Sequence, residues 1–267
     1  MKSVAELMDL CGRVAVVTGG AGHIGSAIAA ALAECGAAVA IVDRPGAASE
    51  QVAAGLTQAH GVAALPLAID LTMADSPAAV PEQVLARFGR LDILVNCAAF
   101  VGTSNLRGWA VPFTEQAAEA WRACLELNLT VPFLLTQQCA PALAESGHGA
   151  VINVASTYGL VGPDLRLYEG TAMGNPAAYA ASKGGLIQLT RWLATVLAPR
   201  IRVNALTPGG VARNQPATFS ERYVQRTPLG RMAVEEDFKG AAVYLASDLS
   251  RYVTGHNLVV DGGWTAW

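Results

Sequence analysis

Short apolar runs rich in β-branched residues alternate along the chain with longer stretches of helical spacing. Val14 to Val17 is apolar on both faces, the pattern of a strand buried inside a parallel sheet. A glycine-rich turn from Thr18 to Gly25 follows, then a helical stretch from Ser26 to Ala33. The alternation continues with strands at Ala38–Val42 and Val62–Asp70, where Pro66 marks an edge strand. Further strands are predicted at Leu91–Asn96, Ala150–Ala155, Ile201–Leu206 and Asn257–Asp261, seven in all. Helices are predicted at Ala47–His60, Pro81–Phe88, Glu115–Leu127, Val131–Glu145, Ala177–Leu197 and Val234–Ser247. Long loops cover Cys97–Phe113 and the stretch from Ser156 to Pro176. Repeated strand–helix units with short links predict an α/β fold with a doubly wound parallel sheet. No linker or short-period repeat divides the chain, so residues 13–267 read as one domain behind an N-terminal extension, residues 1–12. The 177–197 helix is apolar around most of its circumference, which predicts burial against the sheet and against a partner subunit.

Composition narrows the function classes. With 52% hydrophobic and 15% charged residues among 267, the chain can bury a large core. A net charge of −3 and the absence of Lys/Arg runs argue against a nucleic-acid partner. No apolar run is long enough to span a bilayer, and the first ten residues carry acids where a signal peptide has its apolar core. Cys11, Cys35, Cys97, Cys124 and Cys139 are dispersed and form no CxxC pair, as expected of buried thiols in a reducing cytoplasm. The four histidines show no metal-ligand spacing, and no metal centre is expected.

Two constellations carry chemistry. In the first, the glycine turn ends a strand and opens a helix, so orphan amides and the helix dipole favour an anion there. Glycines let the backbone approach a pyrophosphate closely. Asp43 closes the next strand, where a ribose-binding carboxylate stands in dinucleotide folds. In the second, Tyr179 and Lys183 stand four residues apart on one helix face. Moving a phenol pKa from about 10 to about 7 takes roughly 4 kcal/mol. A cation about 4 Å away at an effective dielectric near 20 supplies roughly that much. Such a pair suits proton transfer to or from an alcohol oxygen.

Together these pieces resemble the short-chain dehydrogenase/reductase family, from about Gly12 to Gly263. The matching residues fall in the family's order: the Thr18–Gly25 turn, Asp70, Asn96-Cys97-Ala98-Ala99, Asn128, Ser156, Tyr179-x-x-x-Lys183 and Pro208-Gly209. The resemblance implies a Rossmann-type fold, a nicotinamide cofactor and hydride transfer. It implies that Tyr179 is the general acid/base and that Lys183 lowers its pKa and holds the nicotinamide ribose. Ser156 then binds the carbonyl or alcohol oxygen, and Asn128 holds a water linking Lys183 to solvent. Gly19, Gly22, His23, Ile24 and Gly25 belong to the diphosphate turn, Asp43 to the ribose, and Asp70 with Leu71 to the adenine. Asn96 steadies the central strands beside Ala98, and Pro208, Gly209 and Val211 reach the nicotinamide end.

The chain departs from the family pattern at several points. His23 stands where the turn usually has glycine; its side chain is either a diphosphate ligand or a solvated group. Asn96-Cys97-Ala98-Ala99 replaces a run commonly reading NNAG. Arg213 replaces a frequent threonine, and either pairs with cofactor phosphate or caps a loop. Twenty-two residues (157 to 178) separate Ser156 from Tyr179, more than is usual. This insert, centred on about 160–176, is expected to form a polar wall or lid over the substrate. Arg166 is its first candidate contact, followed by Tyr168 and Glu169, with an oligomer-contact loop as the alternative. Trp264 reads as core, and terminal Trp267 as an interface or pocket residue.

The function expected is an NAD-dependent oxidoreductase acting on a polar or sugar-derived secondary alcohol or ketone. NAD is expected over NADP because Asp43 repels a 2′-phosphate, although Arg44 beside it can offset that repulsion. A 3-oxoacyl-thioester reductase is the alternative, disfavoured by Asp43 and by the acidic balance. A non-catalytic cofactor-binding scaffold is disfavoured by the intact Asn128, Ser156, Tyr179 and Lys183 set. A small-molecule substrate, a cytoplasmic location and a homotetramer complete the expectation.

Overall fold

The computed structural model describes residues 1–102 and 104–267; Thr103, in the expected loop 97–113, lies outside the described residues. Seven strands form one parallel sheet: β1 Val14–Thr18, β2 Ala38–Asp43, β3 Ala64–Ala68, β4 Ile93–Asn96, β5 Gly149–Val154, β6 Ile201–Pro208 and β7 Asn257–Val260. Their spatial order is β3-β2-β1-β4-β5-β6-β7. The chain therefore winds outward from β1 through β2 to β3, then crosses back to place β4 on the other side of β1. Val17 pairs with Ile41 on one side and Val95 on the other. A crevice at the carboxyl ends of β1 and β4 follows from that reversal, and it is where open parallel sheets bind ligands.

The helices are α1 Val4–Met8, α2 His23–Glu34, α3 Ser49–His60, α4 Ser76–Phe88, α5 Ala118–Leu125, α6 Val131–Glu145, α7 Ala177–Leu197, α8 Ala217–Arg226 and α9 Lys239–Ala246. They cover both sheet faces, and the pleat of β1 sorts its residues between two cores. Ala15 and Val17 pack with Ile28 and Leu32 of α2 and with Ala242 and Leu245 of α9. Val14 and Val16 pack with Val80 and Val84 of α4, Leu135 and Leu143 of α6 and Leu193 of α7. Each fully buried aliphatic side chain contributes about 1.5–3 kcal/mol, which is why β1 tolerates no polar position before Thr18. Leu10, placed outside the domain by the sequence reading, is fully buried in the first core, and its amide donates to Cys35 O at 2.8 Å.

Pro66 lies on an edge, as expected: β3 pairs only with β2. The ladder uses Ala63 O and Ile69 N, so the alternation turns the nitrogen of Pro66 to the open side, where no N–H is required. Two α-helices escaped the sequence reading. One is α1, marked by a Ser3/Glu6 capping box, and the other is α8, which buries Phe219 and Tyr223 one turn apart. The predicted helices at 115–127 and 131–145 form a single run, α5 into α6, joined by a π-helical turn over Glu126–Thr130. The predicted helix from Val234 opens instead as a 3₁₀ turn, Glu235–Phe238, before α9.

Candidate active site

The turn after β1 is built from close contacts. Gly19 has φ +62°, and a Cβ there would lie 2.9 Å from the Ala98 backbone. A Cβ on Gly25 would lie 2.1 Å from Gly19 O. Thr18 Oγ1 donates to Val95 O at 3.3 Å and accepts from Cys97 N at 3.0 Å and Ala98 N at 3.1 Å, clasping the ends of β1 and β4. Helix α2 starts at His23 behind Gly22, which has no side chain to cap it. The amides of His23, Ile24 and Gly25 therefore lack intrahelical acceptors, the arrangement that favours an anion at a helix end. Asp43 Oδ2 accepts from Ala21 N at 3.0 Å and so braces this turn from the end of β2. Asp70 accepts from both the amide and the hydroxyl of Thr72, which hold its carboxyl below the usual range, and Leu71 beside it is buried. Beyond β6, a Cβ on Gly209 would lie 2.7 Å from Asp261 Cα, and Val211 bridges to Ala233. A groove closed to any Cβ, with free amides at one end and a carboxylate beside them, fits a dinucleotide.

Asn96 sits under this groove. Its Nδ2 donates to Asn153 Oδ1 at 2.8 Å and to Thr136 Oγ1 at 3.3 Å. Asn153 in turn donates to Thr190 Oγ1 at 2.9 Å. The network joins β4, β5, α6 and α7 inside the protein, so the donor groups of Asn96 face neighbouring elements.

Tyr179 and Lys183 stand one turn apart at the start of α7. Lys183 Nζ lies 5.9 Å from the centre of the Tyr179 ring and donates to Val154 O at 2.7 Å. Burial draws the Lys183 ammonium down to about 8. Burial also pushes the Tyr179 phenol up, while Ser156 pulls it the other way. From the sequence, the ammonium is expected to lower the phenol; in the structure, desolvation raises it, and the opposing pull comes from Ser156 and not from Lys183. Ser156, just past β5, accepts from Tyr158 N at 3.3 Å. The next turn presses Gly159 against α7, where a Cβ would lie 2.7 Å from Lys183 C. Asn128 is fully buried in the π turn. Its Oδ1 accepts from Phe100 N at 2.8 Å, and its Nδ2 donates to Phe100 O at 3.0 Å and Ser182 Oγ at 3.2 Å. The structure thus brings Ser156 and Lys183 beside Tyr179, with Asn128 reaching α7 through Ser182.

The insert lies against α8. Leu167 is buried with Phe219, Tyr223, Met232 and Trp264. Asp164 binds Arg226 Nη1 at 2.7 Å, and Arg222 Nη1 donates to Glu169 O at 2.6 Å. These ties make the insert a packed wall. Arg166 forks onto Asp164 with its side chain 79% exposed, so the favoured substrate contact of the sequence reading is engaged at the surface. The 3₁₀ turn over Leu165–Tyr168 also turns side chains inward, burying Leu167 and half-burying Tyr168. Tyr158 Oη and Tyr168 Oη lie 2.5 Å apart. Trp264 is core, stacked on Tyr223 at 5.6 Å, whereas Trp267 is exposed and donates to Arg226 O at 3.1 Å.

Three partners escaped the sequence reading. Glu235 Oε1 lies 3.3 Å from His23 Nδ1 and 3.5 Å from Arg213 Nε, tying α2 to the segment after β6. No spacing signal links these three. Tyr158 was legible as the residue two beyond Ser156, and Tyr223, whose hydroxyl accepts from Gly210 N at 2.6 Å, as the partner of Phe219.

Among known proteins, a family model described as enoyl-(acyl carrier protein) reductase matches residues 19–265. Cis-4-hydroxycyclohexanecarboxylate dehydrogenase of Sinomonas cyclohexanicum is 39% identical over 95% of this chain and 97% of its own. D-threitol dehydrogenase of Mycolicibacterium smegmatis is 36% identical over 96% of this chain and 94% of its own. The crystal structure of a short-chain type dehydrogenase/reductase from Mycobacterium marinum matches with a TM-score of 0.87 and 32% identity, covering 100% of both chains.

The burial of Lys183 has a measurable consequence. Its folded pKa of about 8 lies below the ordinary 10.5, so between those values the unfolded chain binds the extra proton. Stability from this group therefore rises with pH from about 8 to about 10.5 and is level below 8. In urea denaturation, the stability of wild type relative to Lys183→Met should climb across that window and stay constant from about pH 6 to 7.5. A constant difference throughout would mean that Lys183 is not desolvated.

Proposed function

Since the chain belongs to the short-chain dehydrogenase/reductase family, we propose that it is an NAD-dependent oxidoreductase that interconverts a polar secondary alcohol and its ketone. The observation that carries this reading is the meeting of Ser156, Tyr179 and Lys183 beside the glycine cradle. The amides of His23, Ile24 and Gly25 would hold the diphosphate, Asp43 the adenosine ribose, and Asp70 with Leu71 the adenine. Ala98, Pro208, Gly209 and Val211 line the nicotinamide end. The cofactor, when bound, supplies the acceptor or donor of a hydride.

The chain's own groups manage the proton. Ser156 Oγ holds the carbinol oxygen, and the Tyr179 phenolate takes its proton as the carbonyl forms. In the reducing direction the phenol returns that proton. The Lys183 ammonium favours the phenolate and binds the nicotinamide ribose. Asn128, held in its π turn by Phe100 and Ser182, anchors the water that links Lys183 to solvent. A thioester reductase would favour a 2′-phosphate and a basic entrance, and Asp43 opposes the first. The assembly is a cytoplasmic homotetramer: Trp121 on α5, Phe133 on α6, and Trp192 and Val196 on α7 leave apolar surface exposed, and β7 leaves an open edge. Light scattering at micromolar concentration should give four times the chain mass, and a monomer would refute the assembly.

Tyr179→Phe should lower turnover by about 100- to 10,000-fold, with the melting temperature and cofactor affinity retained. A near wild-type rate would sink the mechanism. In steady-state kinetics kcat/KM should favour NAD over NADP, since Asp43 accepts from ribose hydroxyls and repels a 2′-phosphate. Equal values, or a preference for NADP, would refute that assignment.

A further inference from the structure

Two polar features of the insert are not used by the proton chemistry. Asn175, in the approach to α7, has both Oδ1 and Nδ2 buried, and neither atom is hydrogen-bonded to any of the described residues. Buried amides without partners are rare, because the desolvation of each polar atom goes uncompensated. Asn175 stands at a seam, four residues ahead of Tyr179. On one side Gly174 packs against Ala110, and its carbonyl lies against Gly102, both from the segment that follows β4. On the other side Met173 joins the cluster that contains Tyr158 and Tyr168.

The second feature is the phenol pair, Tyr158 and Tyr168, with hydroxyls 2.5 Å apart. Burial holds both phenols protonated through neutral pH, that of Tyr168 at about 12, and a Tyr179 phenolate would raise each further. One of the two hydroxyl protons serves the bond between them. The other remains available to donate.

Resting on the alcohol–ketone reading above, we propose that Asn175 and the Tyr158–Tyr168 pair form a subsite for a second hydroxyl of the substrate, on a carbon neighbouring the carbinol. The substrate class is then a neutral diol or polyol. Donor and acceptor on one amide match a hydroxyl, which both accepts and donates. A carboxylate or thioester only accepts, so Oδ1 would stay orphaned. The charges around the wall agree with a neutral ligand: Asp164 faces Tyr158, and Arg226 is engaged with Asp164.

The test uses the purified full chain with NAD and matched alcohols: cis-1,2-cyclohexanediol against cyclohexanol, and 2,3-butanediol against 2-butanol. Wild type should favour each diol in kcat/KM by about tenfold or more, because a site built to bond a hydroxyl rejects the analogue lacking it. Asn175→Leu and Tyr168→Phe should each bring the diol-to-monool ratio towards one. Asn175→Leu should also hold or raise the melting temperature, since it removes an unpartnered polar group at nearly constant volume. A structural asparagine would behave otherwise, losing melting temperature and depressing both substrates alike, and that result overturns the proposal. So does an unchanged ratio in the folded variants, or higher kcat/KM for 2-hydroxycyclohexanecarboxylate than for the diol. Failure to oxidise any of these alcohols overturns the alcohol–ketone reading, and the subsite with it.

Discussion

Gly19 and Ala98 come so close that no side chain fits between them, and this approach governs the rest of the site. It is possible because β1 and β4 are neighbours in the sheet although far apart in sequence, and because Thr18 Oγ1 takes both the Cys97 and Ala98 amides. The clasp holds the floor of the crevice. It also leaves the first-turn amides of α2 at its rim and Asp43 beside them. A residue larger than glycine at position 19 would part the two strand ends and disturb the groove at its narrowest point.

Beneath that floor, the Asn96–Asn153–Thr190 chain of hydrogen bonds crosses from β4 to β5 and on to α7. It ties the middle of α7, through Thr190, to the sheet and gives the helix a defined position there. The amide donors of Asn96 and Asn153 are engaged, whereas Asn96 Oδ1 is buried without a hydrogen-bond partner among the described residues. Here the hydrogen bonds from β4 through β5 to α7 help set the spacing between the β1–β4 crevice and Tyr179. The π turn at Asn128 makes a comparable connection from the other side, joining the segment after β4 to Ser182. A break in helix regularity is tolerated there because the Asn128 side chain meets the Phe100 amide and carbonyl, which would otherwise need other partners.

Burial and charge act against each other around Lys183. Removing an ammonium from water favours its neutral form, and this prevails at Lys183 even though Nζ donates to Val154 O. The same low-dielectric surroundings strengthen any charge interaction made there. The pocket that raises the Tyr179 phenol is therefore also the one in which a nearby ammonium acts most strongly on a phenolate.

Much of this protein was legible without coordinates. Seven apolar runs with helical stretches between them imply a doubly wound sheet, since a strand buried on both faces needs helices on each. Pro66 marked its edge, because a proline nitrogen has nothing to donate to a ladder. Tyr179 and Lys183 four apart had to share a helix face whatever surrounded them. Long-range contacts were decided only by the tertiary structure. The Glu235 carboxylate between His23 and Arg213, the docking of the insert on α8 and the outward turn of Arg166 all depend on partners far away in sequence. The direction of the Tyr179 shift belongs with them: spacing reports how near a cation is, whereas burial depends on every element packed around it.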